Sequence, residues 1–181
     1  MRLVILDRDG VINQDSDAYI KSPDEWIPLP GSLDAIVRLN RGGFTVVVAS
    51  NQSGIGRGLF DLATLERIHR KMTAELAARG GHLDGIFFCP HAPDAGCDCR
   101  KPAPGLLRQI GSHYGVSLDA VPMIGDSLRD LQAAHAVGAR PILVLNGKGQ
   151  RTFEQLPAEF RGIEVYPDLA TATTALLKEG G

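Results

Sequence analysis

Six short apolar runs recur along the chain: LVIL (3–6), FTVVVAS (44–50), GIFF (85–88), VPMIG (121–125), PILVL (141–145) and IEV (163–165). They are nearly continuous in apolar side chains. A strand with one wet face alternates apolar and polar residues, whereas a parallel strand covered on both faces does not. Between the runs, residues 32–41, 61–79, 104–114, 127–137 and 168–178 carry apolar residues at helical spacing. In SLDAIVRLN (32–40), Leu33, Ile36, Val37 and Leu39 form the apolar set, Ser32 is the expected N-cap, and Gly42 and Gly43 the stop. This alternation predicts a Rossmann-like, doubly wound α/β fold with a mainly parallel sheet. With 181 residues and no linker, repeat or low-complexity tract, one domain over 1–181 is expected.

Folds of this kind bind ligands at the carboxyl ends of their strands. DRDG (7–10) follows the first run there, and GDSLRD (125–130) closes the fourth. Residues i and i+2 of an extended segment point the same way, so Asp7 and Asp9 are expected to face one site, with Arg8 turned elsewhere. Asp126 joins them at the same edge. Such carboxylates repel one another: at an effective dielectric of ~20, two unit charges 4 Å apart cost about 4 kcal/mol. A hard divalent cation such as magnesium resolves the conflict. A carboxylate is also a nucleophile that needs no base at neutral pH. Asp-rich turns commonly end strands, which is the plain alternative for DRDG taken alone. Ser50 and Asn51, at the second strand end, offer a hydroxyl and free N–H groups to a phosphate. Gly54, Gly56 and Gly58 miss the spacing of a dinucleotide loop.

All three cysteines fall in CPHAPDAGCDCRKP (89–102). Cys89, His91, Cys97 and Cys99 offer three thiolates and an imidazole, the ligand set of a closed, structural zinc site. A redox couple of Cys97 and Cys99 is the alternative. A four-ligand zinc has no open position for catalysis. Its expected task is to fold loop 89–101, which has almost no apolar residues, and so to place Arg100 and Lys101. The net charge of −2, from 19 basic and 21 acidic side chains, argues against nonspecific binding to nucleic acid or anionic lipid. No apolar run approaches the ~20 residues of a membrane span. The N-terminus has four apolar residues before an acid, short of the ~7 of a signal peptide, so a cytoplasmic location is expected.

"DRDGVIN", "ASNQSGIGRG", "CDCRKP" and "IGDSLRD", in this order, resemble the haloacid dehalogenase superfamily of aspartate-nucleophile phosphatases over residues 3 to 145. The added "CPH" narrows the resemblance to the branch of the heptose-bisphosphate 7-phosphatases and histidinol-phosphate phosphatases. The resemblance implies Asp7 as nucleophile and Asp9 as general acid, then base. It implies Asp7, the Asp9 carbonyl and Asp126 as magnesium ligands, Ser50 and Lys101 as holders of the phosphoryl group, and Asp130 as support from behind. The chain leaves no room for a cap domain. Substrate choice then falls to Asn13, Asp15, Asn51, Gln52, Ser53, Arg57 and Arg100, and a second phosphate would reward both arginines. The implied substrate is a small phosphorylated sugar: the C7 phosphate of D-glycero-D-manno-heptose 1,7-bisphosphate, removed through an aspartyl phosphate on the route to ADP- or GDP-heptose and lipopolysaccharide or other surface sugars. Histidinol-phosphate hydrolysis is the nearest alternative. A phospho-accepting signalling module is an alternative of another class, though it would not need Ser50, Asn51 and the thiol loop together. A monomer is expected.

Overall fold

The computed structural model describes residues 1–179. Strands β1 (Arg2–Leu6), β2 (Phe44–Asn51), β3 (Gly85–Cys89), β4 (Pro122–Gly125), β5 (Arg140–Val144) and β6 (Glu164–Tyr166) join one sheet in the order β3-β2-β1-β4-β5-β6. Every pairing is parallel. The helices are α1 (Ser32–Arg41), α2 (Ser53–Gly56), α3 (Leu62–Ala78), α4 (Gly105–Tyr114), α5 (Leu128–Ala136), α6 (Gly149–Glu154) and α7 (Leu169–Lys178). The chain builds outward from β1 to β3, then returns to the other side of β1 with β4. The order reverses between β1 and β4, where such sheets open a crevice. Leu6 is in register with Ile124, and the Asp7 N–H extends the ladder to the Ile124 carbonyl at 2.9 Å. Asp7 and Asp126 therefore emerge side by side.

The apolar runs are continuous because both faces are covered. Val4, Leu6, Val46, Val48, Ile124 and Ile142 pack on one side with Leu33 and Ile36 of α1, Ile68 and Met72 of α3, and Leu169 and Leu176 of α7. Leu3, Ile5, Val47, Ala49 and Met123 face the other side, against Leu106, Leu107 and Ile110 of α4 and Ala133 and Ala134 of α5. Each large aliphatic side chain so buried contributes about 1.5–3 kcal/mol. Among the described residues no helix is long and apolar enough to cross a membrane.

Ser32 is not the cap of α1. Gly31 holds that position at φ +76°, a left-handed conformation that glycine adopts freely, and Ser32 is the first helical residue. The Ser32 hydroxyl instead donates to the Ile12 carbonyl at 2.6 Å and ties α1 to the segment after β1. That segment is ordered by its own contacts. Trp26 is fully buried in it, and Lys71 Nζ donates to the Pro23 and Trp26 carbonyls at 2.9 Å each. Helices α2 and α6 have four and six residues, too few to show a period in the sequence.

Candidate active site

Asp7, Asp126 and Asp130 each offer a carboxylate oxygen within 4.8 Å of the others. Asp7 leaves the end of β1, Asp126 the end of β4, and Asp130 lies in the first turn of α5. There Asp130 and Ser127 form a reciprocal capping box that fixes the helix start. Two glycine turns pinch Asp126. A Cβ on Gly10 (φ +81°) would stand 2.0 Å from Asp126 Oδ2, and one on Gly147 (φ +56°) 2.3 Å from it. The Lys148 N–H donates to the same oxygen at 2.8 Å, and Thr152 Oγ1 to the Asp126 carbonyl at 2.8 Å.

Lys101 is 1% exposed and its ammonium has three partners: Asp130 Oδ1 at 2.6 Å, Asp7 Oδ1 at 3.1 Å and the Ala49 carbonyl at 2.7 Å. Burial alone would push Asp130 up, but Lys101 holds its carboxyl below the usual range. Asp7 fares differently. Burial, then the charge of Asp130, pushes it up to about 7 despite Lys101. Asp126 stands well above its ordinary value, through burial and then through Asp7. One lysine thus serves one carboxylate well and leaves two buried acids short of positive charge. Hard oxygen donors in that state fit magnesium, and Asp7 and Asp126 are the side chains that could hold it.

Asp9 is held separately. Its Oδ1 accepts from Arg8 Nη2 at 2.8 Å, Arg8 Nε at 3.2 Å and Asn13 Nδ2 at 2.9 Å, and its Oδ2 from Gln52 Nε2 at 3.0 Å. Burial raises its pKa, but the Arg8 charge and these bonds outweigh that and lower it. Arg8 points elsewhere than the site that Asp7 and Asp9 face, as expected: it is fully buried, with its guanidinium paired to Asp9. One expectation is corrected here. Asn13, expected on substrate, is also fully buried and holds Asp9 instead. This follows from a turn, since the N–H groups of Val11, Ile12 and Asn13 all converge on the Arg8 carbonyl.

These groups open into a cavity of about 410 Å³ at the carboxyl edge of the sheet. Asp7, Asp9, Asp126 and Lys101 line it, as do the expected Asp15, Asn51, Gln52, Ser53, Arg57 and Arg100. Ser50 is fully buried behind Gln52, whose Nε2 donates to its Oγ at 2.7 Å. Tyr19, Arg129 and Lys148 also line the cavity and escaped sequence reasoning. Arg129 lies inside GDSLRD and Lys148 just past β5, so the strand-end rule covered both positions. Tyr19 carried no signal. Lys148 Nζ pairs with Asp15 at 3.4 Å, and Arg57 stands 5.8 Å from the Tyr19 ring. Burial, then Arg129, lowers the pKa of Arg100, with Arg57 adding to it. Three guanidinium groups therefore share the mouth.

Cys89, His91, Cys97 and Cys99 also meet within 4.8 Å. The Cys89–Cys97 sulfur separation is 3.7 Å, Cys89–Cys99 2.9 Å, and His91 Nδ1 lies 3.5 Å from Cys89 and 3.3 Å from Cys99. A tetrahedral zinc with ~2.3 Å sulfur bonds has edges of about 3.5–3.8 Å; Cys89–Cys97 and Cys89–His91 match this, His91–Cys99 is slightly shorter, and Cys89–Cys99 would have to open, so the donor set of three thiols and an imidazole is what suits zinc. The three thiols are free. Burial pushes Cys97 up, but the Arg100 N–H and the neighbouring ligands more than offset it and bring the thiol to about 7. The loop is stitched to the acidic site. Asn51 Nδ2 donates to the Lys101 carbonyl at 2.9 Å, and its Oδ1 accepts from the Lys101 N–H at 3.0 Å. Helix α2 sits directly on the loop, with the Gly56 N–H donating to the Pro90 carbonyl at 2.8 Å.

A family model described as HAD-hydrolase-like matches residues 98–172. The D-glycero-β-D-manno-heptose-1,7-bisphosphate 7-phosphatase of Bordetella bronchiseptica is 59% identical over 181 residues, 99% of each chain. The enzyme of the same name from Pseudomonas aeruginosa is 56% identical over 177 residues, 97% of this chain and 98% of its own. The crystal structure of the B. bronchiseptica D,D-heptose 1,7-bisphosphate phosphatase, complexed with magnesium and phosphate, superposes with a TM-score of 0.95 at 58% identity, covering 99% of both chains. The fold and the acidic cluster define a haloacid dehalogenase-like hydrolase. Within that class, the chain belongs to the family of the D-glycero-β-D-manno-heptose-1,7-bisphosphate 7-phosphatases.

Proposed function

We propose that this chain is a magnesium-dependent phosphomonoesterase that removes the C7 phosphate of D-glycero-β-D-manno-heptose 1,7-bisphosphate. The observation that carries this reading is the pairing of buried Asp7 with Asp126 and Lys101 beneath a mouth of three arginines. The names of relatives more than half identical to the chain support the sugar and its β anomer. Asp7 attacks phosphorus, and the bond from phosphorus to the C7 oxygen breaks as an aspartyl phosphate forms. Asp9 is kept ionised in the free site by Arg8, Asn13 and Gln52; it takes up a proton from solvent as the anionic substrate displaces Gln52, and gives that proton to the departing oxygen. It then takes one from the water that attacks the aspartyl phosphate, which frees inorganic phosphate and restores Asp7. Lys101 offsets charge on the transferring group, with Ser50 behind Gln52 as its hydroxyl partner. Magnesium, held by Asp7 and Asp126, would draw charge from the phosphoryl oxygens. Zinc in the thiol loop would be structural.

Arg57, Arg100 and Arg129 suit the second phosphate of a bisphosphate. Histidinol phosphate brings an ammonium group instead, which these cations repel. Residues 1–181 act as one domain in this reading, in the cytoplasm, where sugar nucleotides are made. Every group invoked comes from one chain, so a monomer suffices. The test is phosphate release from the β and α heptose bisphosphates and from histidinol phosphate, side by side. The β heptose is expected to lead histidinol phosphate by about 100-fold or more in kcat/KM. Asp7→Asn is expected to fall below about 0.1% of wild-type turnover. Equal efficiency on histidinol phosphate, or an active Asp7→Asn, overturns the reading.

A further inference from the structure

Arg8 and His69 have no place in the chemistry above, yet both are buried at the site. Arg8 is fully buried and His69 is 9% exposed on the inner face of α3. Arg8 Nη1 lies 3.3 Å from His69 Nε2, while Nη2 and Nε of the same guanidinium grip Asp9 Oδ1. The Phe88 ring packs 5.9 Å from the imidazole. Burial, then Arg8, takes the His69 pKa down to about 3, so the ring is neutral and its Nε2 is free to accept from Arg8. The Arg8 backbone is pinned as well, since its carbonyl receives the three N–H groups of residues 11–13.

The two oxygens of Asp9 are consequently unequal. Oδ1 takes three donors and has no capacity left. Oδ2 takes one, from Gln52, which divides its amide between Asp9 and Ser50 and stands at the cavity wall.

We propose that Arg8 and His69 are positioning residues for the acid–base step: His69 braces Arg8, and Arg8 locks the Asp9 carboxylate so that Oδ2 alone meets the leaving group. This rests on the reading of Asp9 as acid and base. In the first half-reaction the proton on Oδ2 passes to the C7 oxygen as its bond to phosphorus breaks. In the second, a proton of the attacking water passes back to Oδ2. Gln52 is the contact that gives way. A carboxylate free to rotate would spend part of its time presenting the wrong oxygen, and small errors of placement cost rate steeply.

The leaving group separates positioning from mere structural support. An alkyl oxygen must be protonated as it departs, whereas p-nitrophenolate departs without help. Because kcat/KM covers only the steps through the first departure, it isolates the acid role. His69→Leu and Arg8→Lys are expected to lose about tenfold in kcat/KM on the heptose bisphosphate and less than about twofold on p-nitrophenyl phosphate. His69→Gln puts an acceptor oxygen where Nε2 was and should stay within about twofold of wild type on both. Should His69→Leu not fold, His69→Asn withdraws the acceptor from reach and carries the same expectation. Equal losses on the two substrates, or a folded His69→Leu at full rate on the sugar, overturn the proposal. Asp9→Asn is the reference. If it loses both substrates alike, the acid role of Asp9 falls, and the proposal with it. If Asp9→Asn is selective and the Arg8 and His69 variants are not, the positioning claim alone fails.

Discussion

Lys101 joins two buried carboxylates to the second strand through a single ammonium group. Removing one partner of a buried ion pair strands the other charge in a poor solvent, at a cost of about 3–5 kcal/mol. Lys101→Met is therefore expected to lose roughly that much unfolding free energy, seen as a lower urea midpoint, besides losing turnover. A denaturation midpoint equal to wild type would show that Asp7 and Asp130 do not depend on it. That Asp7 and Asp126 meet was legible because each follows a strand end, and that Cys89, His91, Cys97 and Cys99 meet because the three cysteines of the chain share one loop; Lys101 was placed by following the last of them. The hold of Arg8 and Asn13 on Asp9 was not legible. It comes from a turn in which three N–H groups fold onto one carbonyl, and no spacing rule predicts what a side chain meets after a turn. Asp130, expected as a support, is the partner that Lys101 holds at the shorter distance.

The connections between elements carry the precision of the site. Gly147, in the turn from β5 to α6, leaves no space for a methyl group beside Asp126 and adopts a backbone angle that other residues resist. Gly147→Ala should displace the Asp126 carboxylate and weaken magnesium activation by about 10-fold or more with the sheet intact, as changes beside metal ligands do. Activity as a function of magnesium concentration measures it, and an unchanged curve would refute the clasp. The thiol loop is the second such connection. Structural zinc contributes on the order of 10 kcal/mol to folding a segment of this kind. Cys97→Ser should lower the metal content below one zinc per chain and open residues 89–101 to protease while the rest resists. A loop equally resistant with and without zinc would mean that it folds on its own. The inner strands were readable because burial on both faces leaves them nearly free of polar residues, and the half-buried edge strands β3 and β6 because their short apolar runs keep the same spacing. Helices α2 and α6 were not, because one turn of helix has no periodicity to detect. The cap of α1 was misassigned because a left-handed glycine does the work usually given to serine.

Over the whole molecule, opposing charge effects set how stability responds to pH. Asp7 has its folded pKa raised from 3.8 to about 7, so without metal the fold favours the protonated acid and loses stability as pH climbs through that interval. Asp9 and Asp130 are depressed, so their stabilisation is present above the ordinary carboxylate value and disappears as pH falls through their folded values. Magnesium held by Asp7 and Asp126, as proposed, would compete with protons for them. Its stabilising effect, read as the rise in Tm on adding the ion, should be large near about pH 8 and shrink by about pH 5.5. A rise independent of pH would contradict that competition. Alternation of strand and helix made the doubly wound class legible, and the two acidic motifs fixed which strand ends must be neighbours. The order β3-β2-β1-β4-β5-β6 adds what one sequence cannot announce, namely that α3 on the far side of β2 reaches the site through His69. Trp26 is the sole indole of the chain, and it lies sealed in the core after a segment whose residues 15–17, 19 and 20 border the cavity. The molecule therefore has an intrinsic fluorophore in its hydrophobic interior, in the same connection between β1 and α1 that borders the cavity, and release of that connection can be followed optically without attaching a label.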